Sequence, residues 1–173
     1  MTQSVIAPHH LEELVDAARS APPGDFVEVG VYRGGSAVRL AEVARETGRR
    51  LFLFDTFTGI PFRDAADRHE VGDFSDTSLE MVRDAIPDAT FCVGVFPDTM
   101  PDDLGPIALA HVDCDQYRSV RDCCEHLGPR MVPGGVMVFD DPNVLDGAAQ
   151  AVRESFSADR IETSAGGKWR VRF

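Results

Sequence analysis

Lysine is almost absent from this chain, and acidic residues far outnumber basic ones. Lys168 is the single lysine among 17 basic residues, against 29 aspartates and glutamates, which gives a formal net charge of −12. Nucleic-acid binders need clustered basic side chains to neutralise phosphates, and the sequence has no basic run of that kind. We therefore expect no nucleic-acid partner and no polyanionic substrate.

Long hydrophobic runs are also missing. No apolar stretch approaches the ~20 residues that a membrane-spanning helix needs. The first eight residues show no basic region followed by an apolar core, which a secretory signal would have. These absences predict a protein with no membrane partner and a cytoplasmic location.

Paired cysteines of the metal-binding kind are absent as well. The four cysteines, at positions 92, 114, 123 and 124, form no C-x-x-C pair, so we expect reduced thiols in the core rather than a zinc site. A chain of 173 residues suits a single domain. We predict a leading helix and linker over residues 1–24 and the core of the domain over residues 25–173.

The dinucleotide-binding fingerprint G-x-G-x-x-G is the last notable absence. The turn after the first predicted strand has Gly30 and Gly34, but Glu28 stands where the fingerprint has its first glycine. Asp55 ends the next apolar strand, where doubly wound sheets hold the ribose hydroxyls of a cofactor. This pattern favours a cofactor that has an adenosine but no pyrophosphate.

Strand and helix patterns alternate along the chain. The strands are predicted at about 25–30, 51–55, 90–94, 107–112 and 136–139, with two short ones at about 160–163 and 168–173. Most are continuous apolar runs, which is typical of parallel strands buried on both faces. The predicted fold is α/β: a doubly wound, Rossmann-like, mostly parallel sheet of seven strands, with an antiparallel edge hairpin and helices on both faces.

Carboxylates follow two of these strands, at the edge where ligands bind in open α/β sheets. Asp113 and Asp115 follow the fourth strand, and Asp140 and Asp141 follow the fifth. Like charges this close repel unless they are protonated or bind a cation, so the cluster predicts a divalent ion. Oxygen ligands favour Mg²⁺, or Ca²⁺ or Mn²⁺, over zinc. The alternative is helix capping, which suits Asp115 and Asp141.

Four segments, in order along the chain, resemble the macrocin-type O-methyltransferases. They are Asp55-Thr-Phe-Thr-Gly-Ile-Pro61, Phe96-Pro-Asp-Thr-Met-Pro101, His111-Val-Asp-Cys-Asp-Gln-Tyr-Arg-Ser119 and Gly134-Gly-Val-Met-Val-Phe-Asp-Asp141. The glycine turn is similar to the cofactor site of class I S-adenosylmethionine-dependent methyltransferases. The resemblance implies S-adenosylmethionine, Mg²⁺ and transfer of a methyl group to a hydroxyl of a small molecule. The family's acceptors are sugars of macrolides and related natural products.

The resemblance also implies roles by position. The metal ligands would be Asp113, Asp140 and Asp141. The cofactor-binding residues would be Glu28, Gly30, Tyr32, Gly34 and Ser36 at the methionine end, Asp55 at the ribose, and Phe57, Val95 and Phe96 near the adenine. Residues 56–75, a polar stretch without periodicity, are interpreted as a lid over the site or as a surface loop.

Methyl transfer needs an aligned acceptor oxygen and a group that takes its proton. Catechol-type relatives use a lysine, but Lys168 is predicted on an edge strand, a poor place for a base. We therefore predict that Asp113 or Asp115 assists deprotonation of a hydroxyl polarised by the divalent ion. His69 and His111 are rival candidates, although we expect His69 to face solvent.

Two other functions stay open at this point. One is a nicotinamide-linked oxidoreductase on a similar sheet, against which the missing glycine pair argues. The other is a non-catalytic, methyltransferase-like binding module, against which the clustered carboxylates argue. The chain is also shorter than typical members of the family in the parts that enclose the acceptor. A homo-oligomer, in which a second copy completes the site, is therefore a further hypothesis.

Overall fold

The computed structural model describes residues 6–140 and 142–173. Its strands are β1 (Asp25–Val29), β2 (Leu51–Asp55), β3 (Thr90–Val93), β4 (Ile107–Val112), β5 (Met131–Phe139), β6 (Ile161–Thr163) and β7 (Trp169–Arg172). Its α-helices are α1 (Pro8–Ser20), α2 (Gly35–Thr47), α3 (Leu79–Ala85), α4 (Tyr117–Leu127) and α5 (Asp146–Ser155). No helix among these residues is long and apolar enough to cross a membrane.

The seven strands form one sheet in the order β3-β2-β1-β4-β5-β7-β6. The first five strands pair in parallel, and β7 pairs antiparallel with both β5 and β6. The predicted fold is therefore confirmed. The order reverses between β1 and β4, and in such sheets this switch point opens the crevice that receives a ligand.

Two apolar cores cover the two faces of the sheet. Alternate side chains of a strand point to opposite faces, so Phe26 packs with α1 and α2 whereas Val27 packs with α4 and α5. All five residues of β1 and all six of β4 are buried. Burial on both faces explains why these strands are mostly apolar instead of alternating with polar residues; their polar members, Asp25, Glu28 and His111, are buried as well.

Strand β5 begins earlier than predicted. It starts at Met131, ahead of Pro133 and the pair Gly134-Gly135. The Gly134 N–H donates to Phe173 O at 2.6 Å, and the Phe173 N–H donates to Gly135 O at 3.0 Å. These long-range bonds to the end of the chain extend the strand through a stretch whose local sequence favours a turn.

Candidate active site

The glycine turn after β1 lies against the end of β4. Gly30 has a φ of 90°, and a Cβ atom there would lie 1.9 Å from Asp113 O, so no other residue fits. The Asp113 N–H in turn donates to Val29 O at 2.9 Å. The turn is thus held directly beside the first of the predicted metal ligands.

Asp55 fastens this turn from the neighbouring strand. Its Oδ2 accepts hydrogen bonds from Val31 N (2.7 Å) and Tyr32 N (2.8 Å), and its Oδ1 accepts one from Phe57 N (2.7 Å). One carboxylate therefore joins the end of β2 to the turn after β1. Tyr32 and Phe57, both with positive φ, keep conformations that these bonds stabilise.

A cavity of about 570 Å³ opens at the carboxyl edge of the sheet. Of the predicted site residues, eight line it: Gly30, Tyr32, Asp55, Val95, Phe96, Asp113, Asp115 and Asp140. Four predicted cofactor residues lie outside its lining: Glu28, Gly34, Ser36 and Phe57. Asp141 lies outside the described residues. The structure thus brings together most of the predicted site around one space large enough for a cofactor and part of an acceptor.

The four predicted residues outside the lining are nearly enclosed by protein. Glu28 is fully buried, Ser36 is 4% exposed, and Phe57 packs into the core formed with α1 and α2. Gly34 precedes α2 with a φ of 78°, and a Cβ there would lie 2.9 Å from Val82 Cγ1. These residues pack beneath and beside the glycine turn after β1. Their contact with a cofactor stays a prediction.

Three potential metal ligands meet at the ends of β4 and β5. Ligand atoms of His111, Asp113 and Asp140 all lie within 4.8 Å of one another. The sequence pattern indicates His111 only as a rival base, so its place among the ligands is new. The signal that could have found it is the spacing of two residues from Asp113, which places both side chains on the same face of an extended segment.

The electrostatics of this cluster are dominated by its carboxylates. Burial, followed by the negative charges of Asp140, Asp115 and Glu28, raises the pKa of Asp113 well above its usual range. A carboxylate with a raised pKa is a stronger base, and it gains more from a nearby cation. The two carboxylates are ligands that Mg²⁺ and Mn²⁺ prefer, whereas an imidazole in the same set also suits Zn²⁺ or Fe²⁺.

Glu28 has a partner that the sequence did not reveal. It pairs in register with His111 on the neighbouring strand, and Glu28 Oε1 lies 2.7 Å from His111 Nδ1. Both side chains are buried. The pair orients the imidazole, one nitrogen of which lies within 4.8 Å of carboxylate oxygens of Asp113 and Asp140.

Lys168 lies at the cavity, and the prediction of an edge position was wrong. Strand β6 is the edge of the sheet, and β7 lies between it and β5 with Trp169 opposite Phe139. Because β5 and β7 are antiparallel and Phe139 pairs with Trp169, the residue after Phe139 lies opposite the residue before Trp169. Asp140 and Lys168 are therefore neighbours, and their side chains meet. The Lys168 ammonium donates to Asp140 Oδ1, and Lys168 is only 4% exposed.

The segment 56–75 forms one wall of the cavity. His69 and Phe74 line it, and the His69 side chain is 26% exposed, so it is more enclosed than predicted. Asp67, which is 4% exposed, fastens the wall because its Oδ1 accepts from Tyr117 N at 2.7 Å. The Gln116 side chain adds a bond to Phe62 O at 2.9 Å. The lid interpretation fits this position better than a free surface loop does.

The start of α1 forms a second wall. His10 lines the cavity, and its Nε2 lies 2.6 Å from Gly166 O. Glu13 accepts from the Ser164 hydroxyl at 2.5 Å and from Gly166 N at 2.8 Å. The leading helix therefore clamps the loop between β6 and β7, which carries Lys168.

Comparison with known proteins agrees with this geometry. A curated relative from Streptomyces olivaceus, 8-demethyl-8-(2,3-dimethoxy-alpha-L-rhamnosyl)-tetracenomycin-C 4'-O-methyltransferase, is 36% identical over 151 residues, which are 76% of this chain and 58% of the relative. Mycinamicin III 3''-O-methyltransferase from Micromonospora griseorubida is 30% identical over 155 residues, or 77% of this chain and 61% of the relative. The chain thus spans about three fifths of the length of these relatives.

Solved structures show the same fold. The O-methyltransferase NovP superposes with a TM-score of 0.85 at 26% identity, covering 98% of this chain and 81% of that one. The calicheamicin methyltransferase CalS11 gives 0.82 at 22% identity, covering 95% and 77%. The family model for macrocin-O-methyltransferase (TylF) matches residues 6–165, which include both walls of the cavity and the carboxylate cluster. The chain therefore belongs to the macrocin-O-methyltransferase family.

Proposed function

We propose that this chain is an S-adenosylmethionine-dependent O-methyltransferase that acts on a hydroxyl of a small molecule, with a sugar of a natural product as the acceptor. The observation that carries the proposal is one cavity lined both by the glycine turn and by the carboxylate cluster beside it. Such a cavity can hold a methyl donor and a hydroxyl in contact, which is the main requirement of an in-line transfer.

The cofactor would occupy the side of the cavity between β1 and β2. The backbone of Gly30 allows close approach of a ligand, and Asp55 faces the same space. The hydrogen bonds from Val31, Tyr32 and Phe57 to Asp55 all come from backbone N–H groups, so a ribose hydroxyl would donate to the remaining lone pair on Oδ1. Val95 and Phe96 offer an apolar surface for the adenine.

The acceptor would enter beside Asp113 and Asp140, which with His111 would hold the divalent ion together with Asp141. Such an ion acts as a Lewis acid and a template for the hydroxyl. Asp113 or Asp115, which both line the cavity, would take up the hydroxyl proton. The segment 56–75 lines the same cavity.

A sugar acceptor is supported by the names of the relatives, one of which specifies a rhamnosyl 4'-O-methyl transfer. The net charge of −12 favours a neutral or cationic acceptor, and it disfavours nucleic acid. Family membership favours methyl transfer over a nicotinamide-linked oxidoreductase or a non-catalytic module. A cytoplasmic location and a homo-oligomer that completes the site stay predictions.

Isothermal titration with S-adenosylmethionine, with and without Mg²⁺, tests the cofactor. We expect a Kd of about micromolar order. Transfer of the methyl group from isotopically labelled S-adenosylmethionine to rhamnose-bearing natural products then tests the acceptor. Absence of cofactor binding under both conditions would overturn the proposal as a whole, whereas binding without transfer to any glycoside would overturn the sugar acceptor.

A further inference from the structure

The carboxylate cluster holds a cation of its own, the ammonium group of Lys168. This residue is the single lysine of the chain, and it is 4% exposed. The side chains of Lys168 and Asp140 are 6% and 7% exposed. Lysine is almost never buried to this degree unless it is paired, and here its hydrogen bond goes to one of the predicted metal ligands.

The ammonium and a divalent ion would compete for the same oxygen atoms. The ligand atoms of His111, Asp113 and Asp140 span less than 4.8 Å, so an ion bound among them would lie within a few ångströms of Lys168 Nζ. Two cations at that distance repel strongly in a site of low dielectric. The ion must therefore displace the ammonium from Asp140 or bind against its charge.

The backbone of Lys168 is fixed, and its side chain borders the cavity. Lys168 N donates to Ser164 Oγ at 3.1 Å, and Ser164 in turn bonds Glu13 of α1. The backbone pairing of Trp169 with Phe139 holds the next residue. A lysine has four flexible methylene groups, so the ammonium can leave Asp140 without movement of the strand.

We propose that Lys168 is the resident counter-cation of the carboxylate cluster and that divalent ions bind in competition with it. In the metal-free protein the ammonium offsets the repulsion among the carboxylates. When an ion binds, the same charge weakens its affinity. The inference rests on the metal site of the proposed function and adds to it a residue that sets how tightly the ion is held.

The test is direct measurement of Mn²⁺ binding to the full chain, by loss of the electron paramagnetic resonance signal of free Mn²⁺. Lys168→Gln removes the charge but keeps a hydrogen-bond donor for Asp140, and Lys168→Met removes both. We expect both variants to bind Mn²⁺ at least tenfold more tightly than the wild-type chain. Circular dichroism shows which variants are folded, and either folded variant is sufficient for the test.

Arg172→Met is the matched control. Arg172 lies on β7, the strand that directly follows Lys168, and is also cationic, but its side chain is 55% exposed and pairs with Glu162 on β6. Its loss should leave the Mn²⁺ affinity within twofold of wild type. Equal or weaker binding by each Lys168 variant that folds, with measurable binding by the wild type, would overturn the competition while leaving the metal site intact. No binding by any variant would overturn both the competition and the metal part of the proposed function.

Discussion

Replacing Asp55 with asparagine should loosen the turn that receives the cofactor. Its Oδ2 accepts from Val31 N and Tyr32 N, and its Oδ1 accepts from Phe57 N. Asparagine has the same shape, but one oxygen becomes an NH₂ group that cannot accept a hydrogen bond. One amide orientation therefore loses the bond to Phe57, and the other loses the two bonds to the turn.

The magnitude depends on the number of bonds lost. An N–H group left without its acceptor costs about 1–3 kcal/mol when buried, and partial exposure of Asp55 to solvent moves the value toward the lower half of that range. The remaining bonds also lose the assistance of the negative charge. We expect a decrease of about 2 kcal/mol in the free energy of unfolding, which for a chain of this size lowers Tm by about 4–8 °C.

Urea unfolding, monitored by circular dichroism, measures this change. The comparison is valid if the free energy of unfolding depends on urea concentration with the same slope in both proteins. The control is Asp103→Asn, because the Asp103 side chain is 74% exposed in its ion pair with Arg50. Loss of this ion pair should lower the free energy of unfolding by less than about 0.5 kcal/mol. Affinity for S-adenosylmethionine should fall in the Asp55 variant only. If the two variants unfold at the same urea concentration, the fastening role assigned to Asp55 is refuted.

Three further changes test other parts of the site. Gly30→Ala places a Cβ atom 1.9 Å from a backbone oxygen at a φ of 90°, so it should lower the free energy of unfolding by about 3 kcal/mol or more. A variant that unfolds at the same temperature as the wild type would contradict this. Asp67→Ala removes the acceptor of Tyr117 N, so it should lower the free energy of unfolding by about 1 kcal/mol. It should also speed proteolysis within residues 56–75, and an unchanged cleavage rate would refute the role of Asp67 in holding this segment. Burial raises the pKa of Cys92 to about 11 and of Cys124 to about 12. These two thiols should therefore resist a disulfide reagent at pH 8 in the folded protein, and their modification before unfolding, detected by peptide mapping, would contradict the buried positions.

The sequence predicted the parts of the site that depend on a single strand and the residue at its carboxyl end. Asp55, Asp113 and Asp140 each end a continuous apolar run, and the carboxyl ends of parallel strands lie at one edge. Their meeting at the cavity results from the strand pattern alone. The predicted turn at Gly30 succeeded for the same reason, because it rests on residues adjacent in sequence.

Residues whose environment depends on pairing between distant strands were not predictable in this way. Glu28 lies on β1 opposite His111 on β4. No local pattern shows that the Glu28 carboxylate forms a hydrogen bond with an imidazole 83 residues further along the chain. Likewise, the sequence indicates the closing hairpin but not which of its two strands joins β5. That choice decides whether Lys168 lies in solvent or beside Asp140.

The lysine that pairs with Asp140 binds its carboxylate differently from the arginine that pairs with Asp25 at the other end of the sheet. At the amino end of β1, Asp25 is held by Arg50 through two bonds of 2.6 and 3.0 Å and by Gly105 N at 2.9 Å. A guanidinium fork that binds both carboxylate oxygens is rigid and difficult to displace, which suits a contact that only stabilises the fold. At the carboxyl end, the ammonium of Lys168 is a compact charge on a flexible stem, and a divalent ion can take its place without breaking a bidentate pair. The same reasoning predicts that Lys168→Arg should weaken Mn²⁺ binding below that of the wild type, whereas Lys168→Gln strengthens it. Equal Mn²⁺ affinity of the Arg and Gln variants would show that charge at this position does not control the site.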